Sequence, residues 1–398
     1  MNIKIATSLL ALWGTACGHE EAKTPAVAVA SRPVTTATVT TPTSGSLGDA
    51  PNLKGGHPAV LNPPAPASVS PNPLTLPPPR PTTIPLAAPS DDRVDSALVQ
   101  GDAAFERGDI PGALKHYEAA LKAAPKRAAP VVGVARVRIA KVNAPMDFAA
   151  AKGNAEILAA SKDLRRAVSA DPSFGPAQVE LGRALLLLGD APGAIESLRR
   201  GAQLLPSEPE SHSALGVALL ATGKGDEALG ELSRAADLDP GSAPRHGNLG
   251  TVLFMRGRVK DAVKEYEVQA RLSDGEARAH SDLGTALLAD NEISRAVKEL
   301  ERAIALDPKR ATFHSNLGYA LQIQGKRSEA IGEYRDALRL DDKLASAWIN
   351  LATALARDPK SRAEARAALE KARAIDPTDP RVKANLEELD DLEKGKSP

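Results

Sequence analysis

The sequence predicts an all-α fold, an α-solenoid of repeated helix-turn-helix units that follows a disordered proline-rich segment. The first observation is a fixed period, because "LG" pairs recur every 34 residues. The second is composition: aromatic residues make up only 3% of the chain, so the core must consist of small aliphatic side chains in closely packed helices. The third is proline, since 16 of the 32 prolines precede residue 91.

Several residue types keep the 34-residue step. An alanine follows the glycine of each pair by twelve residues, and a slot that is most often proline closes each unit. The periodic residues are Gly182, Gly216, Gly250, Gly284, Gly318, Ala194, Ala228, Ala262, Ala296 and Ala330. Small residues at fixed positions allow two helices to approach closely.

Residues 245–275 illustrate how one unit is encoded. Apolar side chains recur at helical spacing in two stretches, which are separated by the turn signal "RGR". The first stripe contains Leu249, Val252 and Leu253, and the second contains Ala262, Val263, Tyr266 and Ala270. Each unit is therefore predicted to be a helical hairpin whose two apolar stripes face each other.

This combination of a Leu-Gly pair, an alanine, a Tyr or Leu and a closing proline resembles the tetratricopeptide repeat. The resemblance covers about 300 residues, and its units begin near residues 94, 175, 209, 243, 277, 311 and 345. Residues 128–174 resemble a degenerate unit with an insertion of about 13 residues. The resemblance implies a right-handed α-solenoid that binds proteins on its concave face.

These patterns divide the chain into five predicted parts. They are a signal peptide (1–17), a disordered Pro/Thr/Ala-rich linker (18–90), an N-terminal repeat with the degenerate repeat (91–174), the consecutive array (175–377), and a capping helix with a tail (378–398). The linker composition buries too little apolar surface to offset the entropy of ordering. The last helix is expected to have a polar outer face, as terminal repeats require.

The N-terminus has the organisation of an export signal. Lys4 precedes an uncharged apolar run, residues 5–13, that is too short to span a bilayer. Small residues then lead to Cys17, the only cysteine, which has no partner for an intramolecular disulfide. The segment resembles a bacterial lipoprotein signal, which implies lipidation at Cys17, although Gly14 stands where that family has Leu, Val or Ile.

Two localisations stay open at this point. The lipoprotein resemblance implies attachment to the periplasmic face of the outer membrane, with membrane contact only through the lipid anchor; Gly18 fits outer-membrane retention. The alternative is a soluble periplasmic protein cleaved at a site such as "AVA" (26–28).

Charge and residue types exclude other functional classes. The chain has 50 basic and 50 acidic residues, so no overall field attracts nucleic acid, and we expect no nucleic-acid partner. No nucleophile–base pair can be identified, because Cys17 is isolated and the histidines are spread along the repeats. "GKGDEALG" (223–230) is a repeat turn rather than a phosphate-binding loop. We therefore expect no enzyme activity and no cofactor.

Four histidines fall on the period: His212, His246, His280 and His314. Equivalent residues lie two helices apart, and the axes of contacting helices are already about 8–10 Å apart, which is too far for a shared metal ion. We expect these side chains to be partly buried packing residues, with no metal site. A pH-sensitive interface is the alternative.

The candidate binding site consists of polar residues just before the Leu-Gly pairs. This slot holds Asn248, Asp282, Asn316, Asn350 and Asn385, while Glu180 and Ala214 interrupt the series. The repeats of O-linked N-acetylglucosamine transferases, which these units resemble, form an asparagine ladder here that hydrogen-bonds a peptide backbone, since an amide both donates and accepts. Neighbouring concave slots hold Ser281, Ser315, Thr251, Thr285 and Tyr319. The alternative is that asparagine is simply common at this slot in the repeat.

The resulting functional prediction is a non-enzymatic protein–protein interaction scaffold of the bacterial cell envelope, which binds partner proteins or extended peptides on its concave surface. The alternative is an accessory subunit of an envelope assembly, secretion or glycosyl-transfer complex. Self-association through the repeats also stays open.

Overall fold

The computed structural model describes residues 83–143 and 149–394. The predicted signal peptide, Cys17, the predicted linker before residue 83 and residues 395–398 lie outside the described residues. Within the described ranges the chain forms seventeen α-helices and one short 3-10 helix, Pro359–Ser361, and it contains no β-strand.

The helices follow one another with short connections. Their bounds are α1 Arg93–Glu106, α2 Ile110–Ala123, α3 Ala128–Val142, α4 Ala155–Ala170, α5 Gly175–Leu188, α6 Ala191–Leu204, α7 Pro209–Ala221, α8 Gly225–Leu238, α9 Ala243–Met255, α10 Val259–Leu272, α11 Ala277–Ala289, α12 Ile293–Leu306, α13 Ala311–Ile323, α14 Arg327–Leu340, α15 Ala345–Ala356, α16 Arg362–Ile375 and α17 Pro380–Glu393.

Consecutive helices pack as hairpins, which confirms the predicted all-α solenoid. The eight hairpins are α1–α2, α3–α4, α5–α6, α7–α8, α9–α10, α11–α12, α13–α14 and α15–α16. Helix α17 packs on α15 and α16, with Val382 and Leu389 buried, while Glu387 and Glu388 on its other face are exposed.

Small residues set the distance between the two helices of a hairpin. A Cβ added to Gly250 would lie only 2.8 Å from a ring carbon of Tyr266, and one added to Gly284 would lie 2.7 Å from Leu300. The alanines that follow each glycine by twelve residues are fully buried at Ala194, Ala228, Ala262, Ala296 and Ala330. Side chains larger than these would separate the helices.

The first helices of neighbouring hairpins also pack against one another throughout the array. They therefore line its inner surface, which we call the groove. The helices that form the groove are α1, α3, α5, α7, α9, α11, α13 and α15.

Residues 143–154 connect α3 to α4, and 149–154 belong to the described part. The backbone amides of Ala149 and Ala151 donate to the carbonyl oxygens of Leu186 and Leu187, each at 2.9 Å. The connection therefore gives the Leu187 carbonyl oxygen in the last turn of α5 a donor, and it adds a second donor to that of Leu186, which also accepts from the Gly189 amide.

The folded unit begins earlier than the sequence indicates. Thr83, Ile84 and Leu86 are buried against α1 and α3, although these residues fall within the predicted disordered linker. The prediction was wrong for this segment because composition describes the whole tract and does not detect two aliphatic side chains that pack on a neighbouring surface. No helix in the described ranges has both the length and the apolar character needed to cross a membrane.

Candidate peptide-binding groove

Two positions in each first helix describe the groove. The groove position is the residue directly after the periodic glycine of the helix. In α3 and α15 an alanine replaces this glycine. The ladder position lies two residues before the same glycine or alanine. The groove positions are Asp102, Arg136, Arg183, Val217, Thr251, Thr285, Tyr319 and Thr353. Charged side chains thus occupy the N-terminal end of the groove, and hydroxyl groups occupy the C-terminal end.

Arg136 is the centre of the N-terminal end. Its guanidinium group is 3% exposed and donates three hydrogen bonds: Nε to Glu180 Oε1 at 2.9 Å, Nη1 to Asp102 Oδ1 at 3.0 Å, and Nη2 to the Ile84 carbonyl oxygen at 2.9 Å. Burial alone would raise the pKa of Glu180, but the positive charges of Arg136 and Arg183 outweigh it and hold that pKa below its usual value.

The ion pairs continue across the next repeats. Arg183 lies 3.6 Å from Glu180 and also contacts Glu210. Arg245 donates to Glu210 Oε2 at 3.1 Å and to Asp239 Oδ2 at 3.0 Å. We call this series the charged line; its members are Asp102, Arg136, Glu180, Arg183, Glu210, Arg245 and Asp239. Alternating signs make it close to neutral, so it favours an uncharged occupant over a strongly charged one.

A cavity of about 410 Å³ lies beside the charged line, between α3, α5, α7 and α9. Much of its wall is apolar and includes Phe105, Ile139, Leu186, Ala214 and Val217. Thr83 and Asn248 also line it. An apolar cavity with a few polar groups is the usual form of a site for an extended side chain.

The chain itself already fills the adjoining part of the groove. Residues 83–86 are held by side chains of α1 and α3: Glu106 Oε1 accepts from the Thr83 amide at 3.0 Å, and Asp102 Oδ2 accepts from the Leu86 amide at 2.8 Å. Arg136 donates to the Ile84 carbonyl oxygen from the other side. Side chains that line the groove therefore hydrogen-bond the backbone of a short segment without regular secondary structure.

Amides at the ladder position divide into two kinds. Asn316 Nδ2 donates to Thr285 Oγ1 at 3.3 Å, and Asn385 Nδ2 donates to Thr353 Oγ1 at 3.2 Å. The side-chain amides of Asn248 and Asn350 make no hydrogen bond with any described residue, and both line cavities. Within the part of the chain that the structure describes, these two amides therefore have unused donors and acceptors.

Asp282 stands at the ladder position of α11. Burial raises its pKa to about 6, although the positive charge of Arg278 at 3.5 Å acts in the opposite direction. Below that pH the neutral carboxyl group can donate a hydrogen bond as well as accept one, so it resembles the amides on either side.

A second cavity, of about 230 Å³, lies near the C-terminal end of the array, between α13, α15 and α17. Tyr319 and Asn350 line it together with Thr353, Arg381 and Asn385. Two of the predicted site residues therefore lie close together here, whereas Asn248 belongs to the larger cavity.

Three predicted site residues are buried. Ser281 and Ser315 face the helix packing and are 6% and 1% exposed. Thr285, at a groove position, is 5% exposed, and its hydroxyl oxygen accepts from Asn316 Nδ2. The slot of the two serines is occupied in α9 by Gly247, where a Cβ would lie 2.7 Å from Gln269 of α10. Thr251 is half-buried and donates to the Gly247 carbonyl oxygen at 2.9 Å. The serines and Thr285 are therefore not groups that a ligand can contact directly.

The four periodic histidines share two contacts. In each case Nδ1 lies 2.7–2.8 Å from a glutamate nineteen residues later, and Nε2 lies 3.0–3.1 Å from a backbone carbonyl oxygen six residues earlier. The glutamates are Glu231, Glu265, Glu299 and Glu333. Each ring thus connects the two helices of its hairpin to the turn before them. Trp348 donates to the Asp342 carbonyl oxygen at the equivalent place in α15.

One of these histidines also has a third potential metal ligand nearby. His314, Glu333 and Asp336 place their donor atoms within 4.8 Å of one another. However, the His–Glu pair recurs in three repeats where position 336 is replaced by Arg or Val, and Asp336 is paired with Arg339. Packing explains this arrangement without an ion.

Sequence reasoning missed the charged line and the segment in the groove. Glu180 was visible only as an interruption of the asparagine series. Asp102 and Arg136 are separated by the 34-residue step, and Arg183 follows after that step plus the 13-residue insertion. Allowing for the insertion would have placed all three at one position of the repeat.

Comparison with known proteins agrees with this architecture. The family described as tetratricopeptide repeat matches more than half of the chain, over residues 91–137, 149–209, 198–243, 213–277 and 320–380. A family described as bacterial transcriptional activator domain matches residues 268–348, which contain helical hairpins of the same array. No curated protein matches the sequence.

Several solved structures are similar to this chain at low identity. The Cut9–Hcn1 hetero-tetramer of APC/C matches 74% of this chain with 17% identity and a TM-score of 0.55, and this chain spans 55% of that chain. PilF of Pseudomonas aeruginosa has 19% identity, a TM-score of 0.47, and coverage of 55% of this chain and 98% of its own. YrrB, described as having an unusual peptide-binding site, has 21% identity, a TM-score of 0.40, and coverage of 49% and 100%.

The first of these likenesses supports the fold alone, because its identity is too low to carry function. The family match extends over most of the helical array, and the hairpins, the periodic glycines and the buried alanines agree with it. The chain therefore belongs to the tetratricopeptide repeat family.

Proposed function

We propose that this protein is a non-enzymatic scaffold that binds an extended segment of a partner protein in the groove. The observation that carries the proposal is the segment 83–86, which the groove holds through side-chain hydrogen bonds to its backbone. A surface that orders one extended segment in this way has the donors and acceptors to order another.

The C-terminal half of the groove carries most of the ladder amides that such a partner would bind. Asn248 and Asn350 present amides without partners, and Asp282, Asn316 and Tyr319 lie between them along the array. We propose that these residues and Thr251 form the peptide-binding ladder. Ser281, Ser315 and Thr285 support it from within the helix packing.

We further propose a location in the cell envelope, with Cys17 as a lipid anchor. The support is the N-terminal sequence, in which an apolar run is followed by small residues and a single cysteine. An accessory subunit of an envelope assembly, secretion or glycosyl-transfer complex would use the same groove and has the same expected partner chemistry.

The experiment is a pull-down from envelope extract with the full chain as bait. The test variant carries Asn248→Ala, Asn316→Ala and Asn350→Ala; the control carries Lys260→Ala and Lys298→Ala, two exposed residues on second helices. We expect the control to capture the same partner as the wild type and the test variant to lose it at unchanged helical content. Equal capture by all three proteins would show that the partner binds outside the ladder.

A further inference from the structure

The segment 83–86 is a ligand of the groove as well as part of the chain. We propose that the groove across α1 and α3 binds an uncharged extended peptide with two aliphatic side chains two residues apart. Residues 83–86 occupy this site as a resident intramolecular ligand. A partner of the same chemistry displaces them. This inference rests on the proposed function and specifies the partner and its regulation.

The backbone of the segment depends on side chains alone. Thr83 and Leu86 donate their amides to Glu106 and Asp102, and Ile84 accepts from Arg136. No backbone-to-backbone hydrogen bond reaches residues 83–86 from any other described residue. The helices of the array therefore keep all of their own hydrogen bonds when the segment leaves.

Burial alternates over residues 84–86 of the segment, and Thr83 before them is also buried, at 7% exposed. Ile84 and Leu86 are each 3% exposed, whereas Pro85 between them is exposed. Only two aliphatic side chains are buried, and this gain is offset by the entropy of ordering the residues that carry them. Displacement requires that the bound and released states differ little in free energy.

The segment is open to exchange from the outside. Pro85, Ala88 and Pro89 are exposed, so a competitor can approach without an opening of the helices. The apolar cavity of about 410 Å³ adjoins Thr83 and gives an incoming peptide a first contact. A partner can thus bind in the cavity before it replaces the segment.

The surrounding charges define which peptides compete. Asp102 and Glu106 accept from backbone amides of the segment, and they repel an acidic side chain placed beside them. Arg136 is buried and fully engaged by Asp102, Glu180 and the Ile84 carbonyl oxygen, so the competitor must supply a carbonyl group at the same place. These conditions select an uncharged, aliphatic, extended peptide.

The test measures binding of a fluorescent synthetic peptide with the sequence of residues 83–90, TIPLAAPS, to the full chain by anisotropy. Three proteins are compared: the wild type, a release variant with Ile84→Asp and Leu86→Asp, and a control with Ala88→Asp at an exposed residue. We expect the release variant to bind the peptide at least tenfold more tightly than the other two. Equal affinity for all three proteins, or no binding to a release variant with native helical content, would overturn the proposal.

A second measurement covers the case in which the release variant does not fold. Native-state hydrogen exchange of the wild type follows the Leu86 amide and the amides of α3. We expect the Leu86 amide to exchange at least a hundredfold faster than the amides of α3, because the segment can leave the groove while α3 stays folded. Exchange of both at one common rate would mean that the segment is an integral part of the core, and it would exclude displacement.

The two proposals can fail separately. If the asparagine variants lose the envelope partner but the peptide binds all three proteins alike, the groove binds a partner and the segment does not regulate it. If the release variant alone binds the peptide but the asparagine variants keep their partner, the segment is a displaceable ligand and the ladder is not the partner site.

Discussion

Nδ1 of His246 lies 2.7 Å from Oε2 of Glu265, and the Nε2 atom of the same ring lies 3.0 Å from the Pro240 carbonyl oxygen. Both partners are acceptors, so both hydrogen bonds form only when both ring nitrogens carry a proton. The geometry therefore favours the imidazolium form. Burial opposes the charge, but the hydrogen bonds to Glu265 and Pro240 outweigh it and raise the pKa of His246.

His246→Gln should change how stability depends on pH. A raised folded-state pKa means that His246 stabilises the fold fully below about pH 6.5 and that this contribution is lost as the pH rises through the folded pKa. We expect the free energy of unfolding of the wild type to exceed that of the variant by about 1 kcal/mol at pH 6 and by less at pH 9. Urea unfolding at the two pH values measures this, and a constant difference would contradict the charged form.

Asp282→Asn should remove a loss of stability that the wild type suffers as the pH rises. The pKa of Asp282 is about 6 in the fold, which is above its ordinary value, so the folded state loses stability as the pH rises from about 4 through 6. Asparagine does not titrate. We expect the free energy of unfolding of the variant, relative to that of the wild type, to rise by on the order of 1–3 kcal/mol between pH 4 and pH 8. Equal pH profiles of the two proteins in thermal unfolding would refute the raised pKa.

Gly250→Ala tests the contact between the helices of a hairpin. The new methyl group would lie 2.8 Å from the Tyr266 ring, and we expect a loss of about 1–3 kcal/mol. Gly230→Ala is the matched control, since this glycine lies within α8 and no atom is within 4 Å of the added Cβ. There alanine should stabilise by about 0.5–1 kcal/mol through its helix propensity. Urea midpoints of both variants should shift in opposite directions.

Arg136→Met tests the charged line. The substitution removes the cation that pairs with both Asp102 and Glu180 and leaves Glu180 only the longer contact with Arg183, so we expect a loss of about 3–5 kcal/mol. Adding Glu180→Leu should restore much of it, because a buried and poorly compensated charge is removed. For comparison, Arg199→Ala breaks an exposed pair with Glu227 and should cost less than about 1 kcal/mol. Chemical unfolding of the three variants ranks these effects; a small loss for Arg136→Met would contradict the buried network.

The array could be predicted from sequence because its information is local and repeated. Gly250, Ala262 and Tyr266 define one hairpin, and the same spacing defines the others. The histidine series was predicted to be packing residues. Their glutamate partners were visible at a constant spacing of nineteen residues, although only the structure shows that the two side chains meet.

The contents of the groove could not be predicted in the same way. Arg136 joins α1, α3 and α5, and the distances between its partners along the chain depend on an insertion that the repeat period does not include. The segment 83–86 lies in a proline-rich tract whose average composition predicts disorder, and its burial depends on a surface formed by residues much later in the chain.

The His246 contact also bears on how neighbouring repeats open relative to one another. The ring connects its own hairpin to the turn that ends the previous one, so part of the coupling at this junction depends on pH. Trp348 makes the corresponding contact in the last full hairpin with an indole that does not titrate near neutral pH. As the pH rises through the folded pKa of His246, its contact with the Pro240 carbonyl oxygen weakens, so we expect the repeats on either side of this turn to open more independently while the C-terminal hairpin stays coupled to its neighbour.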